Sequence, residues 1–170
     1  MPHVHVCPLS QVEATVAAAG ASHLITLIND ATPVTRPPSI TAANHLFLGI
    51  NDITEPMDGM VLPEEDHVRT LLDFVEAWDR KRPIVVHCFA GISRSTAAAF
   101  ITLCAVNPQR DEYEIARRLR EASPFAFPNS RIVAFGDALL ARRGRMIDAV
   151  KGIGRGEIAP ESIPFSIAIA

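Results

Sequence analysis

Only three cysteines, Cys7, Cys88 and Cys104, occur in the 170 residues. They cannot all pair with one another, and no two stand at a metal-ligand spacing, so neither a disulfide framework nor a cysteine-built zinc site is expected. They read as free thiols in a reducing compartment. Long apolar runs are missing too: the longest, Ala97–Val106, is ten residues, about half of what a bilayer span needs. The segment Met1-Pro2-His3-Val4-His5 has neither the basic nor the apolar region of a secretory signal. The expected location is therefore the cytoplasm, with no membrane partner. A large excess of one charge is also lacking, with 16 basic and 19 acidic side chains and a net charge of −3. Residues 1–109 hold 6 basic and 11 acidic groups, and residues 110–170 hold 10 and 8. That second half is too weakly basic for a nucleic-acid footprint, although its balance suits an anionic substrate.

What the sequence does have is a core. Apolar residues make up 48% and charged residues 21%, an ordinary globular composition in a chain long enough to fold without staples. Val4–Leu9, His23–Ile28, His45–Ile50 and Pro83–Cys88 are short apolar runs bounded by turn residues and read as four buried strands. Ser10 with Glu13 suggests a capped helix ending at Gly20. Pro63-Glu64-Glu65-Asp66 opens a second helix reaching about Arg80, with its apolar face over Val68–Trp78. Helices are then expected over 93–106, 111–122 and 130–150, the last weakened by Gly136 and Gly144. The fold class is α/β, with a central, mostly parallel sheet of about four strands flanked by helices. Residues 1–150 read as one domain and 151–170 as an extended tail in need of a docking place. The connections 29–43 and 51–62 both leave carboxyl ends of strands, where such sheets bind ligands, and both are expected to overhang a site.

The segment Ile84-Val85-Val86-His87-Cys88-Phe89-Ala90-Gly91-Ile92-Ser93-Arg94-Ser95-Thr96 is a buried strand, a short loop and a helix start. A strand feeding directly into a helix leaves convergent, unpaired N–H groups that bind an oxyanion. Gly91 permits the tight turn, and Arg94 offers a planar fork for two phosphate oxygens. A thiol at the base of such a nest is favoured as thiolate, hence as a nucleophile. Phosphate binding is accordingly assigned to Phe89, Ala90, Gly91, Ile92, Ser93 and Arg94.

The spacing Cys88-x5-Arg94 within His-Cys-x-x-Gly-x-x-Arg-Ser resembles the signature of the cysteine-based protein tyrosine phosphatases, most closely their dual-specificity branch. Phe47-Leu48-Gly49-Ile50-Asn51-Asp52 and Phe127-Pro128-Asn129 are similar to that branch's acid loop and later helical region. The resemblance implies a phosphomonoester hydrolase with a phosphocysteine intermediate and no metal or cofactor. Its substrate would be a phosphotyrosine-containing protein or another phosphomonoester. Cys88 would be the nucleophile and Arg94 the phosphate clamp. Ser95 would hydrogen-bond the departing thiolate, and His87 would support the loop from behind. The general acid is assigned to Asp52, with Asp58 as the alternative and Asp30 as a third option. Cys7 and Cys104 read as inert core thiols, and Arg117, Arg118 and Arg120 as a solvated helix face. A phosphate-binding pseudophosphatase and a rhodanese-like sulfurtransferase are the competing functions. The five residues between Cys88 and Arg94 make a longer loop than the usual sulfurtransferase one.

Overall fold

The computed structural model describes residues 1–170. Five strands, β1 (His3–Pro8), β2 (His23–Ile28), β3 (His45–Gly49), β4 (Ile84–Cys88) and β5 (Phe165–Ala168), form one sheet in the order β3-β2-β4-β1-β5. The first four are parallel neighbours, as the apolar runs require. The fifth strand corrects the expected count: the 151–170 segment docks by laying Phe165–Ala168 antiparallel along β1. Its composition hides this, because a four-residue edge strand carries too few side chains to show an alternation.

Alternation along the inner strands sorts two cores. Val4, Val6, Ile25, Leu27, Ile84 and Val86 face the larger one, together with the buried faces of α2 (Glu65–Ala77), α3 (Arg94–Val106), α4 (Glu112–Ala122), α5 (Ser130–Leu139) and α6 (Arg145–Gly152). Cys7, Leu24 and Val85 face the opposite way, against α1 (Val12–Ala19) and Ile40. Both faces are therefore covered, which is what lets the strands be apolar nearly throughout.

Several expectations need correction. Ser10 does not cap α1; its hydroxyl donates to the Glu161 carboxylate at 3.1 Å, and a short 3₁₀ turn precedes the helix. The 130–150 helix is two helices. Ala141, Arg143 and Gly144 have φ of 53°, 56° and 85°, a left-handed stretch that no continuous helix can hold. Gly136 lies inside α5, where a Cβ would come within 2.5 Å of Ile101 on α3; it is there for close helix approach. The 29–43 connection is anchored through Ile40 in the smaller core and contributes no residue to the cleft that holds Cys88. No helix is long and apolar enough to cross a membrane.

Candidate active site

Cys88 ends β4, flanked by β1 and β2, and sits at the base of the loop 89–93 that runs into α3. The loop's carbonyls are pinned outward by other parts of the chain. Phe89 O accepts from Leu9 N at 3.0 Å, Ala90 O from Ser162 N at 2.8 Å, Ile92 O from Phe127 N at 2.9 Å and Ser93 O from Asn129 N at 3.2 Å. Three segments distant in sequence, around Leu9, Phe127–Asn129 and Ser162, thus fix the loop's curvature. Its amides are left free of backbone acceptors, except that Gly91 N donates to Cys88 Sγ at 3.3 Å. Gly91 is required at φ 71°, where a Cβ would also strike Ser162 and the Cys7–Pro8 backbone.

The thiol's second partner is Ser95, whose Oγ lies 3.2 Å from Cys88 Sγ. Arg94 is buried, donates from one terminal nitrogen to Ile50 O at 2.9 Å, and keeps its Nε without a protein partner. A guanidinium so placed retains donors for an anion in fork geometry. Ser93 precedes α3 without capping it, because its hydroxyl donates to Asp52 Oδ1 at 2.7 Å.

Behind the loop, His87 is fully buried and burial lowers its pKa to about 4, so it is neutral. Its Nδ1 lies 3.0 Å from Cys88 O, which can only accept, so Nδ1 carries the proton. Nε2 is then the acceptor for the Thr26 hydroxyl at 2.7 Å, and Thr26 Oγ1 in turn accepts from His45 Nε2 at 2.8 Å. This directed chain, His45 to Thr26 to His87 to the Cys88 carbonyl, crosses three adjacent strands. Thr26 and His45 were not singled out in the sequence; a hydroxyl inside the apolar run His23–Ile28 was the only signal.

The loop opens into a cleft of about 1050 Å³. Asp52, Ile53, Thr54, Glu55 and Met57 line it from the connection after β3, so that connection does overhang the site. Asp52 is held by Ser93 and by Asn129 Nδ2, the latter at 3.0 Å. Asp58 sits in the exposed turn Met57–Met60 and does not line the cleft. Nor does Asp30, whose carboxylate lies against Gly49. Asn129 was legible only as part of a resemblance, yet it joins three elements. Its Oδ1 caps α5 by accepting from Arg131 N and Ile132 N, its backbone holds Ser93, and its amide holds Asp52.

Cys7 and Cys104 are buried and free, and burial pushes both thiols up to about 12; they belong to the core. Of the three arginines read as a solvated face, only Arg117 is exposed. Arg118 donates to Ala168 O at 2.8 Å, and Arg120 donates to five carbonyls, those of Ser123, Pro124, Ala126, Ile153 and Gly154. Both arginines fasten the C-terminal segment, which sequence periodicity cannot reveal because their partners are backbone atoms.

Residues 56–138 match the family model for protein-tyrosine phosphatases. No curated protein sequence matches the chain. Among solved structures, DUSP15 is similar at 16% identity and a TM-score of 0.62, with 90% of this chain and 91% of that one covered. Human DUSP28 is similar at 19% identity and a TM-score of 0.61, covering 82% and 94%. PTPMT1, solved in complex with PI(5)P, is similar at 15% identity and a TM-score of 0.58, covering 82% and 94%. At these identities the likeness is one of fold.

Proposed function

We propose that the protein hydrolyses phosphomonoesters through a phosphocysteine intermediate, a reading supported by the protein-tyrosine phosphatase match over residues 56–138 and by the fold shared with dual-specificity phosphatases. The observation that carries this reading is the loop itself, with its carbonyls tied outward, Gly91 N and Ser95 Oγ on the Cys88 sulfur, and the Arg94 Nε unpaired.

In the first step Cys88 Sγ attacks phosphorus as the P–O bond to the leaving group breaks, forming an S–P bond. The three equatorial oxygens are held by the loop amides and by Arg94, charge-assisted donors already aimed where negative charge is carried. The Asp52 carboxyl gives its proton to the leaving oxygen, releasing an alcohol or phenol. In the second step water attacks phosphorus, Asp52 accepts its proton, and the S–P electron pair returns to sulfur. Ser95 then stabilises the departing thiolate by hydrogen bonding, which avoids expelling a bare sulfur anion. His87 acts through the Cys88 carbonyl and is a positioning residue. Asp52 is preferred to Asp58 and Asp30 because it lines the cleft with Cys88 and they do not.

Exposed Phe89 and Met57, with Phe127, give the cleft an apolar rim that suits an aryl phosphate. The loop positions Phe89, Ala90, Ile92 and Ser93 are uncharged, so aryl and peptide phosphomonoesters are expected to outperform polyphosphoinositides. We place the reaction in the cytoplasm, where three free thiols stay reduced.

The test is turnover of an aryl phosphate against turnover of thiosulfate, in reductant and without added metal, with trapping of the phosphorylated enzyme at low pH. Phosphate release with a phosphorylated Cys88 peptide supports the reading. Thiosulfate turnover alone would favour the sulfurtransferase, and anion binding without turnover a pseudophosphatase.

A further inference from the structure

Two cations in the cleft have no part in the reaction just described. Lys151, near the end of α6, and Arg155, just beyond it, line the same cavity as Cys88 and Arg94. Both are exposed, and none of the five ion pairs in the chain includes either. They lie past the residues that match the family model, which end at 138.

The turn that carries Arg155 is held from several sides. Gly154 and Gly156 flank it at φ 69° and 81°. A Cβ on Gly156 would come within 2.5 Å of both the Arg120 guanidinium and Pro124 O. Arg120 donates to Ile153 O and Gly154 O on one side and to Ser123, Pro124 and Ala126 on the other, while Glu157 N donates to Pro124 O at 2.9 Å. These bonds tie the segment to the stretch entering α5. The Arg155 guanidinium thereby rests over the Phe127 ring, 5.2 Å from its centroid. A cation stacked on an aromatic face keeps its edge donors for an anion.

We propose that Arg155 and Lys151 form a second anion subsite, which selects phosphotyrosine peptides with a carboxylate side chain close to the phosphorylated residue. The proposal rests on the phosphatase reading and names its substrate class. A single extra carboxylate fits the charge present better than a cluster of phosphates, because Asp52 and Glu55 line the same cavity. The apolar rim of Met57, Phe89 and Phe127, exposed by 54%, 58% and 44%, suits peptide side chains rather than a polyphosphorylated ring.

The experiment uses two phosphotyrosine peptides that differ only in Glu against Gln beside the phosphotyrosine. Their kcat/KM ratio is measured on the wild type, on Arg155→Lys and on the double variant Lys151→Ala/Arg155→Ala. The ratio of their Kd values is measured on Cys88→Ser proteins with and without the double change, which needs no turnover. The wild type should favour the Glu peptide by about fivefold, as a partly exposed ion pair does. The preference should shrink with salt, survive in part in Arg155→Lys, and fall to about one in the double variant. Equal use of both peptides by the wild type, or a ratio unmoved in the double variant, would overturn the subsite. A phosphoinositide that outcompetes both peptides in an Arg155-dependent way would overturn the peptide assignment. If no phosphomonoester is turned over, the phosphatase reading fails separately, and the Kd ratio still decides the subsite.

Discussion

Asn129 Nδ2 donates to Asp52 Oδ1 at 3.0 Å across 77 positions of sequence, so the residue that caps α5 also holds the carboxylate we assign as acid. Asp52→Asn should lower turnover of poorly activated esters by about 10²-fold. Activated aryl phosphates should suffer less, since their leaving oxygen needs less protonation. Asp58→Asn is the control, and these effects appearing there and not in Asp52→Asn would reverse the assignment. Asn129→Ala should combine both roles, losing about 1 kcal/mol of cap stability in denaturant titration together with part of the acid's contribution to kcat.

Cys88→Ser should leave less than about 1% of wild-type activity while the fold and anion binding persist, because an alcohol is a far weaker nucleophile at neutral pH. Arg94→Lys should be severely impaired as well, since a point charge cannot replace a fork. Alkylation of the native protein followed by peptide mapping should mark Cys88 and spare Cys7 and Cys104, whose thiols burial pushes up to about 12. Labelling of all three at equal rates would contradict this.

Burial lowers the pKa of His87 from 6.5 to about 4, so the unfolded chain binds more protons than the folded one between those values. Stability from this group is complete above pH 6.5 and is lost as pH falls towards 4, with a full effect of about 3 kcal/mol. His5, His23 and His45 are also lowered by burial and act with the same sign. Melting temperatures measured from pH 7 to 4 should therefore fall less steeply for His87→Asn than for the wild type, and parallel curves would exclude His87 as a cause.

Gly91→Ala should abolish activity and lower the melting temperature, because φ 71° is strained for any Cβ and the added carbon meets the Cys7–Pro8 backbone at 2.8 Å. Neither the Cys7 backbone nor Ser162 can withdraw without releasing the loop. Near-wild-type kcat in this variant would mean that the loop's curvature does not set the phosphate site.

The local parts of the site were legible, and the long-range parts were not. Cys88, Gly91, Arg94 and Ser95 lie within eight positions of one another, and their chemistry depends on a strand-to-helix turn whose signals are all local. Asp52 was reachable through its place at the end of β3. Leu9, Phe127, Asn129 and Ser162 hold the loop through backbone atoms, which leave no mark on side-chain pattern. Thr26 and His45 support His87 only because β2 lies between β3 and β4, an order that apolar runs do not encode. The edge strand Phe165–Ala168 and the break between α5 and α6 escaped for related reasons, the one being too short for a period and the other resting on left-handed residues that include Ala141 and Arg143.

Arg120 and Arg117 stand three positions apart on α4 and should behave very differently. Arg117 is exposed and has a single i,i+4 partner, Glu121, at 3.8 Å; Arg117→Ala should change stability by no more than about 0.5 kcal/mol. Arg120→Ala removes the donor shared by five carbonyls, of which Ser123 O and Pro124 O keep a backbone N–H while Ala126 O, Ile153 O and Gly154 O lose their partner, and should cost about 2 kcal/mol in denaturant titration. Because those carbonyls include Ile153 and Gly154, the turn bearing Arg155 is left in the same variant with only the Glu157 N to Pro124 O bond to the stretch entering α5. Its preference for the acidic phosphopeptide should then fall towards one, while the loop amides and Arg94, which do not touch Arg120, keep their hold on phosphate. Equal stability losses in the two variants would make Arg120 an ordinary surface arginine. A large loss with the peptide preference intact would show that Arg155 keeps its place without the clamp.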